Sequence, residues 1–408
     1  MKVCVVGAGI VGCATAYEMA RQGWDVHLVD TAQAPGLGTS YANGAQLSYS
    51  YVEPFASPAT MRSLPKMLLS RDSAVRFYPR WDWRQWLWGL QFLGACTQRQ
   101  SLDGTSRLLQ LAQTSRDALA QWMDEENWSF GFEQNGKLVL CPSEQSLRQQ
   151  SRQVALQACM GCRQDMLSPS ACLDKEPALR TASDLKFVGG VWTADECIGD
   201  PYRLCQEMVA SLRRRGGKVS LGVDVRSFVR TGDKVSAAVT DQGAIAADAF
   251  VLAAGPWSVR LAAGLGIHLP VYPIKGYSIT VPFREGVVRP RVSVTDLGRK
   301  TVFAPLGSQL RVAAMAEVGA TRLDVAAKRV QTMLAAVEQT YPGLCDLDAP
   351  AAWAGLRPST PTSVPVVGRW RKSNVFLNVG HGALGLTLAA GTAIGLRQSM
   401  QESLPGGH

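Results

Sequence analysis

Three glycines near the N-terminus stand in the run Gly7-Ala8-Gly9-Ile10-Val11-Gly12. Their spacing suits one task. The first permits a tight turn, the second lets backbone approach a pyrophosphate, and the third lets a helix pack closely on a strand. The N-terminus of the helix that follows adds free N–H groups and positive dipole. Asp30 lies 18 residues beyond Gly12, near the offset at which an acid grips a ribose hydroxyl pair. An acid there disfavours a 2′-phosphate, and with it NADP. The glycine pattern carries meaning only inside a strand–turn–helix–strand unit. Residues 3–6 read as an apolar strand, 13–22 as an amphipathic helix closed by Gly23, and 24–29 as a second strand ending at Asp30.

Beyond Asp30 runs Gly38-Thr39-Ser40-Tyr41-Ala42-Asn43-Gly44-Ala45-Gln46-Leu47. Its small, hydroxyl and amide groups can approach a flavin's pyrophosphate and pyrimidine edge. They suit an ordinary polar loop equally well, so these residues leave FAD and NAD open.

The elements around these groups follow from pattern. Helices are predicted over 60–72, over 83–125 with a break, over 143–159, from 201 to the basic triplet Arg213-Arg214-Arg215, over 322–340 and from 383 onward. Asp200-Pro201 supplies a cap and a first-turn proline. Strands are predicted within 131–141, at 218–225, 227–229, 234–240, 249–253 and 375–378, and a β-rich region over 271–317. Residues 355–368 read as a Gly/Pro-rich stretch. The predicted fold class is α/β: a Rossmann-like dinucleotide domain plus a second α+β domain with a mainly antiparallel sheet. The order of elements places 1–48, 146–262 and 352–408 in the first, and 49–145 and 263–351 in the second.

Composition narrows the class. The 408 residues are 46% hydrophobic and 18% charged, which excludes disorder. The net charge of +9 favours anionic partners without choosing among headgroups, nucleic acid and small acids. Ten cysteines are too sparse for a disulfide scaffold and read as free thiols in a reducing compartment. Four histidines (His27, His268, His381, His408) leave little room for schemes that need several imidazoles. No apolar run reaches the length of a membrane span, and the N-terminus reads as a strand rather than a signal peptide.

Several stretches together resemble a known family. They are Thr39-Ser40 with Ala42-Asn43, Val271-Tyr272-Pro273-Ile274-Lys275-Gly276-Tyr277-Ser278, Gly355-Leu356-Arg357-Pro358, Pro365-Val366-Val367-Gly368 and Gly380-His381-Gly382-Ala383-Leu384-Gly385. In this order, across essentially the whole chain, they are similar to the FAD-dependent D-amino acid dehydrogenase small-subunit family, within the D-amino acid oxidase and glycine/sarcosine oxidase superfamily. Three positions depart from that pattern. Asn43-Gly44-Ala45 stands for Asn-Ala-Gly, Thr362-Ser363 for Asp-Gly, and Leu386 for a Trp.

The resemblance implies non-covalent FAD, no metal, and oxidation of a D-amino acid to a 2-oxo acid and ammonia. The Cα hydrogen would pass as hydride to flavin N5, and the electrons to a quinone or dye-like acceptor. It implies cofactor contacts from Gly7 to Gly12, Asp30, Thr39, Ser40, residues 43–47 (Asn43, Gly44, Ala45, Gln46, Leu47), Val225, Ala254, Gly255, Gly355 and Gly380 to Gly385. Arg357 is the expected clamp for the substrate carboxylate, because a guanidinium offers a planar two-point fork. Tyr277 is a candidate hydroxyl donor to substrate, and Tyr51 a weaker one. His381 reads as structural.

Other signals have plainer readings. Arg213 to Arg215 complement a helix C-terminus, so no nucleic-acid partner is expected. Cys159 and Cys162 form a lone C-x-x-C. Trp81, Trp83, Trp86 and Trp88 lie among Arg76, Arg80 and Arg84, and suit either core packing or contact with a membrane surface. The expected location is cytoplasmic, with the inner face of the cell membrane as the alternative. A partner subunit is not legible. Two rival functions remain: an amine oxidoreductase acting on sarcosine, proline or hydroxyproline or using oxygen, and a non-catalytic flavin-binding subunit.

Overall fold

The computed structural model describes residues 1–69, 74–183 and 185–403, with the side chains of 65–69 left aside. A six-stranded sheet runs in the order Val366–Arg369, Val375–Val379, Ala249–Leu252, Lys2–Val6, Asp25–Asp30, Lys218–Leu221. All its pairings are parallel except the one between Val366–Arg369 and Val375–Val379. The central strands are mostly apolar, as strands covered on both faces tend to be. Val3, Val5, Leu28 and Val251 pack under the helices Ile10–Arg21, Gln98–Glu126, Pro201–Arg214 and Gly385–Ser403. Cys4, Val6, Phe250 and Leu252 pack on the other face, against the antiparallel strands Val225–Thr231 and Lys234–Thr240 and the helix Ser258–Gly264.

The second sheet has nine strands among the described residues. Its path is Ala351–Ser359, Tyr272–Pro282, Gln309–Val318, Thr301–Leu306, Ser293–Asp296, Lys137–Cys141, Gly189–Thr193, Asp165–Leu167, with Val75–Phe77 added beside Gln309–Val318. It is antiparallel apart from two parallel pairings. One face packs on the helix Ala327–Thr340 through Ile279, Val312, Met333 and Val337.

The fold is the α/β architecture expected, but the chain is divided differently between its sheets. Asp165–Leu167 and Gly189–Thr193 lie within 146–262, yet they hydrogen-bond into the second sheet. Ala351–Ser359, in the stretch read as Gly/Pro-rich, is that sheet's edge strand, and its register with Tyr272–Pro282 is unbroken from Tyr272↔Ser359 to Thr280↔Ala351. The helix Gln98–Glu126, placed by sequence in the second domain, buries Leu108, Ala112 and Trp122 in the core of the first.

Local signals behave as their chemistry requires. The break in the 83–125 helix falls at Cys96-Thr97, where Thr97 accepts from the Gln100 N–H and starts a new helix. Asp200 accepts from the Tyr202 and Arg203 N–H groups, a cap worth about 1 kcal/mol. Arg214 and Arg215 pair with Glu126 at 2.6 and 2.7 Å, so the basic triplet ties two helices together. The helix begun at 60 is Pro58–Leu69, and residues 70–72 lie outside the described residues.

Candidate active site

The glycine turn has two kinds of glycine. Gly7 holds φ +111°, and a Cβ there would sit 2.6 Å from the Ala253 carbonyl oxygen. A Cβ on Gly12 would strike the Gly7 carbonyl, whose carbon would be 2.8 Å away. Both are demanded by the protein's own packing. Gly9 is not: the nearest heavy atom to its missing side chain is Ser40 Oγ at 3.6 Å. That space opens on the cavity, so only an occupant of the cavity needs it. Asp30 is fixed in place, accepting from the Ala8 N–H at 2.5 Å and the Ala32 N–H at 2.7 Å. Each carboxylate oxygen keeps a second lone pair for a ligand.

The segment from Thr39 to Gln46 is stitched to the second sheet. Thr39 Oγ1 donates to the Leu356 carbonyl, Ser278 Oγ to the Ala42 carbonyl, Arg311 to the Asn43 carbonyl and Gln46 Nε2 to Ser293 Oγ. Asn43 Oδ1 accepts from the Ala45 N–H and holds Ala45 at φ +57°. Leu47 corrects the sequence expectation. Strand alternation turns Gln46 and Ser48 to the cavity and sends Leu47 fully into the first core.

Opposite the glycine turn, Gly380 (φ +87°) and Gly382 (φ +56°) form the turn into Gly385–Ser403, whose N-terminus borders the cavity. His381 is 3% exposed, and its Nε2 lies 3.0 Å from Thr392 Oγ1. Burial pushes its pKa down to about 3, so the ring is neutral. A pH effect on stability follows. Between pH 6.5 and 3 the unfolded chain holds a proton on this ring that the folded one refuses. Stability is therefore lost as pH falls below 6.5, by on the order of 2 kcal/mol at pH 5. Urea unfolding from pH 7.5 to 5 should show this decline, and H381Q should flatten it. The slope that remains is assigned to His27, which burial lowers to about 4. Equal slopes in wild type and H381Q would exclude His381 as the source.

Arg357 lies at the other end of the cavity. Its Nη1 donates to the Met315 carbonyl at 2.9 Å, and burial alone lowers its pKa. No carboxylate pairs with it among the described residues. A half-buried cation without a counterion carries a desolvation cost that a bound anion would offset, so the arrangement suits an anion. Met315 stands at φ +71° in a β-bulge, where the pairing slips between Lys275↔Glu317 and Tyr277↔Ala314. The bulge turns the Met315 carbonyl to the guanidinium.

Tyr277 borders the same cavity, but its hydroxyl is engaged elsewhere. Gly276 and Arg357 share one face of the edge pair, and Tyr277 points to the other. Its hydroxyl donates to Glu317 at 2.9 Å within a cluster completed by Arg329 and Lys275. Burial and Glu317 raise its pKa. Tyr277 is a core tyrosine, not a free hydroxyl donor. Tyr51 does border the cavity, with the Lys137 ammonium 4.3 Å from its ring centroid. Val225, Ala254, Gly255 and Gly355 also border it.

Sequence reasoning missed Trp353, Gly276 and Lys137, which all line the cavity. Trp353, Gly355 and Arg357 alternate along one strand, and the Trp353 ring lies where a Cβ on Gly355 would be. That period of two was the available signal. Lys137 is buried, donates to Ser48 Oγ at 3.0 Å and has its pKa lowered to about 8 by burial, opposed by Glu196. No spacing rule pointed to it.

The cavity measures about 2210 Å³ and runs from the Gly7 turn to Arg357. A single small-molecule pocket is about 300–1,000 Å³, so this one has room for a dinucleotide and a substrate together. The space at Gly9, the fixed Asp30 and the helix N-terminus opposite all fit FAD.

A dinucleotide cradle opening onto a half-buried arginine without a counterion among the described residues suits a flavin oxidoreductase site. The description "DAO: FAD dependent oxidoreductase" matches residues 2–398, and the chain belongs to that family, with FAD as its cofactor. Within it, the chain is 43% identical to "D-amino acid dehydrogenase 2" of Ralstonia nicotianae, over 96% of this chain and 95% of that protein. It is 40% identical to the protein of the same name from Pseudomonas aeruginosa, over 96% and 92%. The solved structure of glycine oxidase from Geobacillus kaustophilus superposes with a TM-score of 0.76 at 21% identity, covering 99% of this chain and 95% of that one.

Proposed function

We propose that the protein oxidatively deaminates D-amino acids, with Arg357 holding the substrate carboxylate. The observation that carries the substrate assignment is the half-buried guanidinium, tied to Met315 and lacking a counterion among the described residues. Bound FAD supplies the two-electron acceptor for the Cα hydrogen. The chain's part is orientation. Arg357 fixes the carboxylate end, and the cavity walls exclude bulk water while the amine and Cα are held toward the cofactor. The imino acid then reacts with water to give a 2-oxo acid and ammonia. No protein base is required once the amine is neutral. The test is anaerobic: the visible flavin band should bleach with D-alanine and persist with L-alanine. Bleaching by sarcosine alone would move the assignment to secondary amines, and no bleaching by any amine would favour a non-catalytic flavin subunit.

The electron acceptor is proposed to be a membrane quinone, reached from the membrane surface. The helix Trp83–Ala95 supports this. Its buried face carries Gln85, Trp88, Phe92 and Ala95, while Trp83, Trp86, Leu90 and Leu93 form an exposed apolar ridge, extended by the fully exposed Trp81. Of the four tryptophans only Trp88 is core. Trp rings with nearby Arg80 and Arg84 suit headgroup depth, and the net charge of +9 suits an anionic leaflet. No helix among the described residues is long and apolar enough to cross a membrane. Replacing Trp83, Trp86 and Leu90 with Gln should lower co-sedimentation with phosphatidylglycerol vesicles about tenfold or more and leave dye-linked turnover unchanged. Undiminished sedimentation would remove the ridge from the reading.

A further inference from the structure

The glycine next to the expected tyrosine explains how Arg357 is held. Gly276 pairs with Gly355, one alternation away from Ile274↔Arg357, so the guanidinium folds back across the Gly276 backbone. A Cβ at 276 would lie 2.7 Å from Arg357 Nη1 and closer still to Cζ and Nη2. These three guanidinium atoms are the nearest to that position. Gly276 is part of Tyr272–Pro282 and has no positive φ, so the strand's own geometry does not ask for glycine there. We propose that Gly276 is a positioning residue: the space left by its missing side chain seats the Arg357 guanidinium, and the Met315 carbonyl anchors it from the neighbouring strand.

This inference rests on Arg357 as the carboxylate clamp. The seat restricts the plane of the guanidinium before substrate arrives. With Nη1 spent on Met315, the remaining N–H groups present a fixed edge to the cavity. Any side chain at 276 lifts the plane and breaks the two-point geometry that a carboxylate needs. The consequence is specific to the clamp and does not reach the glycine turn that holds FAD.

The test is a cycle of G276A, R357A and the double variant, each purified with FAD. Two quantities are read: KM and kcat for D-alanine with a dye acceptor, and the dissociation constant of propionate from its perturbation of the flavin spectrum. Propionate carries the carboxylate without the amine. G276A should raise KM and the propionate constant about 10- to 100-fold, with full flavin content and kcat within about threefold. In the R357A background, adding G276A should change either quantity less than twofold, because the group it displaces is gone. Unchanged constants in G276A, or full multiplication of the two effects in the double variant, would overturn the seat. Should G276A fail to fold, recovery of folded, flavin-bearing protein in the double variant would identify the clash with Arg357 as the cause. Failure of both would assign Gly276 to the strand and overturn the proposal. If R357A itself leaves propionate binding unchanged, the carboxylate reading fails, separately from the seat.

Discussion

Arg357→Ala should purify yellow, with the flavin content of wild type, and should lose about 10²–10⁴ in kcat/KM for D-alanine. The substitution removes hydrogen bonds from a cation to a carboxylate, worth about 1.5–3 kcal/mol each, and a pair of them corresponds to this range. The loss should appear mainly in KM, because the clamp grips a group that does not change during the reaction. D-amino acid amides, which lack the carboxylate charge, should be hurt far less by the same substitution. Steady-state kinetics on both substrate types decide the matter. An R357A enzyme with unaltered KM would assign the guanidinium to the architecture of the sheet. Arg357→Lys should recover only part of the loss, since an ammonium supplies charge without the planar fork.

Gly9→Val should give the opposite phenotype: a folded chain without colour. The first carbon of the new side chain meets no protein atom that must move, because the nearest is Ser40 Oγ at 3.6 Å. It does enter the space through which a pyrophosphate approaches the helix N-terminus. FAD affinity should fall at least about 10³-fold. With it goes the stabilisation that a tightly bound ligand confers, about 4 kcal/mol at a thousandfold excess over the dissociation constant. Gly12→Val is the informative contrast. There the new side chain meets the Gly7 carbonyl, and the expected outcome is insoluble protein. The flavin-to-protein absorbance ratio and far-ultraviolet circular dichroism separate the two cases, and a G9V protein with a full flavin complement would refute this account of the turn.

These contrasts show where the residues spoke plainly. The unit from Lys2 to Asp30 is local: strand, turn, helix and acid lie within one stretch, each with its own chemical signature, and the structure reproduces it. Arg357 was legible as a cation with a task, yet its surroundings were not. Gly276 and Met315 reach it only through pairings across three strands, and one depends on a bulge that no sequence period announces. Tyr277 shows the same limit from the other side. Alternation along Tyr272–Pro282 says that neighbouring residues face opposite ways, but not which face meets the cavity. The structure sets Gly276 against the Arg357 guanidinium and gives the Tyr277 hydroxyl to Glu317. Ala351–Ser359 was hidden because Gly355 and Pro358 read as loop, although here they serve Trp353 and an edge position. The tryptophans around the helix Trp83–Ala95 mislead the core reading because hydrophobic spacing marks a stripe without saying what covers it.

The six-stranded sheet is assembled from distant parts of the chain. Lys2–Val6 lies between Asp25–Asp30 and Ala249–Leu252, and Val375–Val379 closes on the latter from the far end. A ribosome that has made the first thirty residues has made the glycine turn, but neither the strand beside it nor the Gly380 turn opposite. Contacts of such sequence separation form slowly, because a long loop must close before they return any stability. The nascent chain therefore carries an unfinished nucleotide cradle until Val375–Val379 and the Gly380 turn emerge. Flavin capture then follows synthesis of the Gly380 turn, and cells starved of FAD should accumulate chains that proteases can still cut.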